Sequence, residues 1–221
     1  MGFIQIIQQN REAFARGLMV TGELCGLVWT IGILGGTLLG VAGAQWRLLV
    51  GLPAKVASIL LAGVPVIVFM FWLHYPLQAM LNVVIDPFKT AAAALSVVNV
   101  FLVADLVQSA IDDFPRHYTW AATVCGLTRR DIYFRIKLPI LFRQIVPGLL
   151  RIQIGMLQAT IFASLISVNE IFRICQRVNS EIYKPVEIYT ILALLFVFVC
   201  VPLHGLAYYL RARFSRDLSE R

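Results

Sequence analysis

Apolar residues are gathered into five long runs that are separated by polar intervals. Each run is near the ~20 residues that an α-helix needs to cross a bilayer. The runs cover approximately residues 18–44, 56–75, 91–111, 145–168 and 188–210. Before the first run, residues 3–15 mix Phe3, Ile4, Ile7 and Phe14 with polar side chains, which predicts a short amphipathic helix at the membrane interface. We therefore predict an all-α polytopic membrane protein in which residues 1–221 form a single transmembrane domain.

Small residues in the first run indicate close helix packing. Its glycines fall into two groups with four-residue spacing, which would put small residues on one face and let a neighbouring helix approach. These glycines are Gly22, Gly26, Gly32, Gly36 and Gly40. The second run opens on Gly63-Val64-Pro65.

The longest polar interval between two apolar runs contains the stretch Trp120 to Pro139, WAATVCGLTRRDIYFRIKLP. Pro115 prevents a helix from entering it smoothly. A short helix over 116–126 is predicted, with Gly126 in the left-handed position that follows a last turn. Thr128 and Asp131 then have the spacing of a capping pattern for a new helix. Such a short helix in a basic loop between two spans favours docking to a soluble partner.

Composition supports a membrane protein and argues against other classes. The chain is 59% hydrophobic and 14% charged, whereas a soluble domain is near ~25% charged. The net charge of +7 is confined to loops and ends, so we expect no nucleic acid partner. The four cysteines have no metal-ligand spacing, and the three histidines form no cluster, so no metal site is predicted.

Basic residues predict the orientation. If the 112–143 loop is on one side, that side carries 13 of the 19 Lys and Arg residues and the other side carries six. By the positive-inside rule the loop and the C-terminus are cytoplasmic and the N-terminus is outside.

The polar interval resembles the EAA loop of the membrane subunits of bacterial ABC importers. The resemblance is carried by Ala121-Ala122, Gly126, and Ile136-x-Leu138-Pro139 at the family's spacing, with Trp120 in place of the usual Glu. It implies a cytoplasmic coupling loop over 112–143 that docks on the ATPase subunit. The residues we assign to this coupling are Tyr118, Trp120, Ala121, Ala122, Gly126, Leu127, Arg129, Arg130, Ile136, Leu138 and Pro139.

The order of the five spans, the Gly-x-Pro opening and Asn169-Glu170-Ile171 are similar to permeases of the polar-amino-acid class of these importers. The resemblance implies the type I permease fold in the bacterial inner membrane. It implies a second permease subunit, which is a related paralogue or a second copy of this chain. It also implies two cytoplasmic ATPase subunits, a periplasmic binding protein and contact with membrane lipid. ATP and Mg would be bound by the ATPase, with no cofactor in this chain.

The chain departs from the family where charge is expected. The third-span Glu-x-x-Arg of the family becomes Asp105-x-x-Gln108, the fourth-span Lys-Asp-Thr-Ser becomes Gln158-Ala159-Thr160-Ile161, and Ala62 replaces an Arg. An intramembrane carboxylate such as Asp105 is usually functional or paired. The candidate substrate path is therefore Asp105, Gln108, Gln158, Thr160 and Ser164, where Thr160, Ser164 and Ser167 would share one helix face. Small-residue packing is the alternative for that face. Glu170 is expected at the outer end of the span, facing the binding protein or solvent.

The substrate that this resemblance implies is a polar or cationic amino acid or a derivative. Another small solute (an opine, an amine or a peptide-like molecule) stays open, as does an ATP-independent transporter or channel. An intramembrane enzyme has no support, because no HExxH, GxSxG or paired-Asp motif is present.

Overall fold

A computed structural model of the chain describes the backbone of residues 3–219 and the side chains of residues 5–115 and 117–214. Arg221, and the side chains of Phe3, Ile4, Arg116 and Arg216, lie outside the described residues. The three arginines are among the 13 basic residues counted above. All the regular structure in residues 3–219 is helical, as predicted. The α-helices are α1 (Phe3–Gln9), α2 (Arg11–Gln45), α3 (Leu52–Gly63), α4 (Val66–His74), α5 (Pro76–Leu81), α6 (Pro87–Asp112), α7 (Arg116–Val124), α8 (Arg129–Asp131), α9 (Leu138–Ala159), α10 (Ile171–Ile182) and α11 (Pro185–Ser219).

Four helices in this part of the chain are long and apolar enough to cross a membrane. They are Arg11–Gln45, Pro87–Asp112, Arg129–Ile166 and Pro185–Phe214. We call them the first, third, fourth and fifth long helix, because a bent helix pair lies second in chain order. A fifth span exists only if the bent pair Arg47–Gly63 and Val66–Leu81 counts as one, since the two parts meet at 97°. The second span predicted over 56–75 is therefore not one continuous helix but is interrupted between Gly63 and Val66. Pro65 forces the extended conformation seen at Val64 (φ −96°, ψ 125°) and removes a backbone donor, which breaks the helix.

The first and third long helices pack closely along glycines of α2. A Cβ atom added at Gly36 would lie 2.7 Å from the Val100 carbonyl oxygen, and one at Gly40 would lie 2.7 Å from that of Ala104. Gly32, Gly36 and Gly40 are buried, whereas Gly22 and Gly26 are exposed with nothing within 4 Å. The prediction of one packed glycine face is thus correct for Gly32, Gly36 and Gly40 and wrong for Gly22 and Gly26. The six-residue step from Gly26 to Gly32 rotates the second group away from the first.

An N-terminal helix is present, but it is shorter than the predicted one. It ends at Gln9, and residues 11–15 belong to α2. Ile6 is fully buried and forms an apolar cluster with Phe14, Ile171 and Ile188, so one side of α1 packs on the protein. Ile7 stays exposed, as an interfacial side chain would be.

The fourth long helix begins at Arg129 rather than near residue 145. After α8 it continues through a π-helical segment, Ile132–Lys137, into α9, and ends in a 3₁₀ segment, Thr160–Ile166. Pro139 lies inside this continuous helix, directly after the π-helical segment, and its missing N–H interrupts the helical hydrogen bonds there. The second half of the predicted coupling loop is therefore helical and continuous with the span.

Candidate functional site in the loop before the fourth long helix

The short helix α7 lies where the sequence predicted it. Pro115 precedes its first residue, and Gly126 has φ +78°, the left-handed conformation that a residue with a Cβ atom adopts only with strain. The Thr128 hydroxyl accepts a hydrogen bond from the Asp131 N–H at 3.2 Å, which caps α8. The helix ends and helix starts predicted from the sequence are thus the ones present in this loop.

Helix α7 has an anchored side and a free side. Ala122 is buried, and Ile132 of the following helix is also buried. Trp120 and Val124 are four residues apart, hence on one face, and they are 66% and 89% exposed. An apolar pair this exposed at the tip of a loop is typical of an interaction surface.

Aromatic contacts hold the start of α7 against the fourth long helix. The Tyr118 ring lies 6.2 Å from the Phe114 ring between centroids, and Lys137 Nζ lies 5.8 Å from the centroid of Phe114. Phe114 is buried and Tyr118 is half-buried. Of the two aromatic residues predicted for docking, only Trp120 extends freely, and Tyr118 acts as part of the anchor.

The other residues assigned to coupling surround this helix. Arg130 lines an open cavity of about 300 Å³ together with Asp131, Phe134 and Arg135. Arg135, which was not assigned to coupling, forms an ion pair with Asp131 at 3.3 Å. Ile136 and Pro139 are half-buried, and the remaining residues are exposed: Ala121, Gly126, Leu127, Arg129, Arg130 and Leu138. The loop therefore presents apolar and basic side chains together around Trp120.

Three of the five candidate path residues are buried within the chain. Gln108 packs between two glycines: a Cβ atom at Gly43 would lie 2.7 Å from its Oε1, and one at Gly51 would lie 2.9 Å from its Nε2. The hydroxyls of Thr160 and Ser164 donate to carbonyl oxygens of their own helix, at 2.7 and 2.8 Å. Both residues have no exposed surface. Their role in a path stays a prediction, and these contacts favour packing instead.

Ser167 does not share a face with Thr160 and Ser164. It follows the last helical turn with φ +73° and is exposed, whereas the other two residues are buried. The predicted common face of the three is therefore wrong, since the helical segment ends at Ile166 and the left-handed conformation of Ser167 turns the chain out of the helix.

Asp105 and Gln158 have surface that a substrate or a neighbouring subunit could contact. Asp105 on α6 is half-buried, and Gln158 near the end of α9 is exposed. Among the described residues, the carboxylate of Asp105 has no hydrogen bond or ion pair. An unpaired carboxylate on a spanning helix is costly unless water or another subunit compensates it.

Polar residues in the interior of the spans form a network that the sequence did not assign. Asn99 Nδ2 donates to Gln153 Oε1 at 3.0 Å and to the Val28 carbonyl oxygen at 2.9 Å, and Gln153 Nε2 donates back to Asn99 Oδ1 at 3.2 Å. Trp29 Nε1 donates to the Gln153 carbonyl oxygen at 3.1 Å. Three long helices are thus joined by amides. The sequence could not predict this pair, because the two amides carry no charge, have no motif spacing and are notable only as polar residues within apolar runs.

Glu170 is fully buried, so both expectations for it were wrong. Its carboxylate caps α10 by accepting from the Phe172 and Arg173 N–H groups, both at 2.8 Å. Burial raises its pKa from 4.5 to about 7, although these two bonds act in the opposite direction. The Arg173 guanidinium donates to the Ser164 carbonyl oxygen at 3.1 Å, which ties α10 to the end of the fourth long helix.

Long apolar helices with a short helix, exposed on one side, between two of them are the architecture predicted for the transmembrane subunit of a transporter. Residues 32–216 match the binding-protein-dependent transport system inner membrane components, and the chain belongs to this family. It is the multi-pass permease subunit of an ABC importer in the inner membrane. ATP is hydrolysed by a separate subunit, and a binding protein and a further permease subunit complete such a system.

Curated relatives of this chain are permease proteins of amino acid and opine systems. The chain is 24% identical over 214 residues to HisQ of the histidine/lysine/arginine/ornithine transport system of Escherichia coli, covering 90% of this chain and 94% of HisQ. It is 28% identical over 159 residues to the L-cystine permease TcyB of Bacillus subtilis, covering 72% and 68%. It is 29% identical over 147 residues to the octopine permease OccM of Rhizobium radiobacter, covering 63% of this chain and 60% of OccM.

Solved structures confirm the permease fold. A chain of an amino acid ABC transporter matches with a TM-score of 0.82 at 21% identity, covering 96% of this chain and 99% of that one. A chain of the MetNI methionine transporter in an inward-facing conformation matches with a TM-score of 0.66 at 18% identity, covering 94% and 96%.

Proposed function

We propose that this permease carries a polar or cationic amino acid into the cytoplasm as one half of a heterodimeric pore. In this proposal the loop with α7 and the C-terminus are cytoplasmic, and the N-terminus is outside. The excess of Lys and Arg on the side of α7 supports this orientation. ATP and Mg²⁺ are bound by two ATPase subunits below the membrane, and a periplasmic binding protein delivers the substrate from above.

The observation that carries the coupling role is the two-sided character of α7. Ala122 is seated against the protein while Trp120 and Val124, on the other side, are exposed. Trp120 fills an apolar pocket on the ATPase, and Arg129 and Arg130 meet acidic side chains at its rim. Because α7 contacts the π-helical segment Ile132–Lys137 near the start of the fourth long helix, displacement of α7 by the ATPase is transmitted to that span.

The names of the relatives support the substrate class. HisQ belongs to a system for histidine, lysine, arginine and ornithine, and TcyB belongs to one for L-cystine. The match to HisQ covers nearly all of both chains. An opine is the second candidate because OccM is an octopine permease, although that match spans only 60% of OccM.

The distribution of charge supports a heterodimer. A zwitterion in a membrane path needs compensation of both charges, since an unpaired charge in low dielectric costs several kcal/mol. Asp105 is the only charge at the candidate path positions, and Gln108, Thr160 and Ser164 are occupied by packing within the chain. A related second permease therefore supplies most of the substrate site.

The test is purification of the tagged chain from native membranes with mild detergent. We expect a soluble ATPase and a second permease to co-purify, and reconstituted vesicles to take up labelled arginine, histidine or cystine when binding protein and ATP are present. A purified chain without an ATPase that still transports would favour a channel or secondary transporter. Uptake of an opine alone would replace the substrate class and keep the mechanism.

The docking of α7 is tested by Trp120→Ala, with Tyr133→Ala as the matched control. Both side chains are exposed aromatic residues of the same region, but Tyr133 lies on the fourth long helix beyond α7. We expect Trp120→Ala to release the ATPase on a native gel and Tyr133→Ala to retain it. Equal retention by both variants would contradict a docking role for Trp120.

A further inference from the structure

A basic groove lies on the protein surface between α9 and α11. Its volume is about 410 Å³, and three arginines, Arg143, Arg151 and Arg211, line it together with the apolar side chains of Pro147 and Phe214. No acidic side chain is among the described residues that line it. The groove therefore concentrates positive charge beside apolar walls, in the size range of small-ligand sites.

The arginines are placed by helix geometry rather than by chance exposure. Arg143 and Arg151 are eight residues apart on one continuous helix, so they share a face and lie about 12 Å apart along its axis. Arg211 comes from the last turns of the antiparallel α11. Within the described part of the chain, neither Arg151 nor Arg211 forms a hydrogen bond or an ion pair. Two guanidinium groups at the edge of a span, with no partner among the described residues, are costly unless an anion meets them.

We propose that this groove binds the phosphate of an anionic phospholipid. The guanidinium fork matches phosphate oxygens in a bidentate way, and Pro147 and Phe214 give the glycerol and first acyl carbons an apolar surface. The long arginine side chains reach the headgroup level from positions within the span. Basic pockets between spans on the cytoplasmic side are the places where such headgroups bind. The cytoplasmic location of the groove rests on the orientation in the proposed function.

A bound lipid here would touch both the fourth and the fifth long helix. The fourth helix carries the coupling segment at its start, and α11 contacts it along the groove. The lipid phosphate therefore bridges two helices that carry like charges, and it lowers their repulsion. Occupancy is expected to stabilise the packing of α9 against α11.

The experiment is native mass spectrometry of the assembled transporter after reconstitution into nanodiscs of phosphatidylcholine with or without phosphatidylglycerol and cardiolipin. The test variant is Arg151→Gln/Arg211→Gln, and the control is Lys55→Gln/Arg213→Gln, which removes two exposed cations outside the groove. We expect the wild type and the control to retain anionic lipid, and the test variant to bind it about tenfold or more weakly. Inorganic phosphate at millimolar concentration should not displace the lipid.

Four results would overturn the proposal. Equal lipid retention by both variants places the lipid elsewhere, and displacement by inorganic phosphate indicates a site for a soluble anion. Loss of the second permease or of the ATPase in the test variant alone makes the groove a subunit contact. A test variant with a lower thermal midpoint in phosphatidylcholine alone would make the arginines structural. Because lipid retention is read without uptake, failure of this proposal is distinguishable from failure of the transport function.

Discussion

Asn99 and Gln153 exchange two side-chain hydrogen bonds, of 3.0 and 3.2 Å, between the third and fourth long helices. Asn99 also donates to the Val28 carbonyl oxygen, so the same amide joins α2. Asn99 fits there because Gly32 has no side chain: a Cβ atom at that position would lie 2.0 Å from Asn99 Nδ2. This buried amide pair fixes the relative depth of three spanning helices by direct contact.

The amide pair predicts an energetic coupling between Asn99 and Gln153. Either single change to Ala leaves a buried amide partly unsatisfied, which costs about 1–3 kcal/mol. The double variant should lose less than the sum of the two, by about 0.6–1.7 kcal/mol, the range for hydrogen bonds between membrane helices. The measurement is the free energy of unfolding, in mixed micelles, of purified complexes with the wild type, each single variant and the double variant. Strict additivity would mean that the two amides contribute independently.

The close approach of α2 and α6 predicts different outcomes for two glycines of the same helix. Gly36→Ala places a methyl group 2.7 Å from a backbone oxygen, which cannot move away as a side chain can. We expect a loss of about 1–3 kcal/mol from overpacking. Gly26→Ala meets nothing within 4 Å and should be neutral or slightly stabilising. Thermal midpoints of the two variants check this, and similar midpoints would contradict the packing described here.

Much of the fold could be predicted from apolar runs, because the bilayer fixes the length of a spanning helix. The predicted ends of the helices were wrong where local chemistry outweighs hydropathy. The fourth helix starts at Arg129 because Thr128 caps it, and charged residues can be helical outside the hydrocarbon. The break at Pro65 was visible as a proline, but the 97° angle depends on how α3 and α4 each pack on α6.

The candidate site shows the same division between local and tertiary information. The α7 loop was predictable because Pro115, Gly126 and Thr128 act on their own neighbours in sequence. The roles of the interior polar residues were not predictable. The sequence alone does not distinguish an intramembrane Gln or Ser that lines a path from one that packs against glycine. Gln108 meets Gly43 and Gly51 from other helices, and nothing in the sequence joins those positions.

The left-handed turn at Gly126 predicts uncoupling by Gly126→Val. The residue has φ +78° and open space around it, so a substitution acts through the backbone and not through crowding. A β-branched side chain there costs about 1–2 kcal/mol or more and would shift the position of α7. We expect basal ATP hydrolysis to persist while uptake and substrate-stimulated hydrolysis fall.

Gly126→Asn is the matched control, because Asn adopts the left-handed conformation more readily than other residues with a Cβ atom. It should retain most of the coupling that Gly126→Val loses. Normal substrate-stimulated hydrolysis in Gly126→Val would show that the turn is not needed for coupling.

The buried carboxyl of Glu170 predicts a dependence of stability on pH. Its pKa is about 7 in the folded protein, above the ordinary value of 4.5, so the folded state binds the proton more tightly. The contribution to stability is therefore full below about pH 4.5 and is lost as pH rises to about 7, by at most about 3 kcal/mol. Glu170→Gln removes the ionisation and should flatten this part of the profile.

Thermal unfolding between pH 5 and pH 8 measures the effect, with Glu181→Gln as a control because that carboxylate is exposed on the same helix α10. We expect Glu181→Gln to follow the wild-type slope. If Glu170→Gln also follows it, the Glu170 carboxyl is not the group that titrates with unfolding.

Asp105 decides whether this chain binds substrate directly. Its carboxylate is half-buried without a partner among the described residues. Of the polar residues predicted with it, Gln108, Thr160 and Ser164 are engaged in packing within the chain. A lone carboxylate can compensate an ammonium or guanidinium group but leaves a substrate carboxylate unpaired. We therefore expect the second permease to hold most of the site, and Asp105→Asn to keep uptake and substrate affinity within about threefold, or under 1 kcal/mol.

The measurement is uptake and substrate-stimulated ATP hydrolysis by the assembled transporter carrying Asp105→Asn, beside Asp105→Glu, which retains the charge. If Asp105 pairs with a cationic substrate in the path, Asp105→Asn loses about tenfold or more in affinity because a desolvated charge pair is broken, whereas Asp105→Glu retains part of it. If assembly and basal ATP hydrolysis stay unchanged while affinity is lost, the Asp105 carboxylate lies in the path. This chain would then be a substrate-binding half of the pore rather than mainly a subunit that encloses the path and couples it to the ATPase.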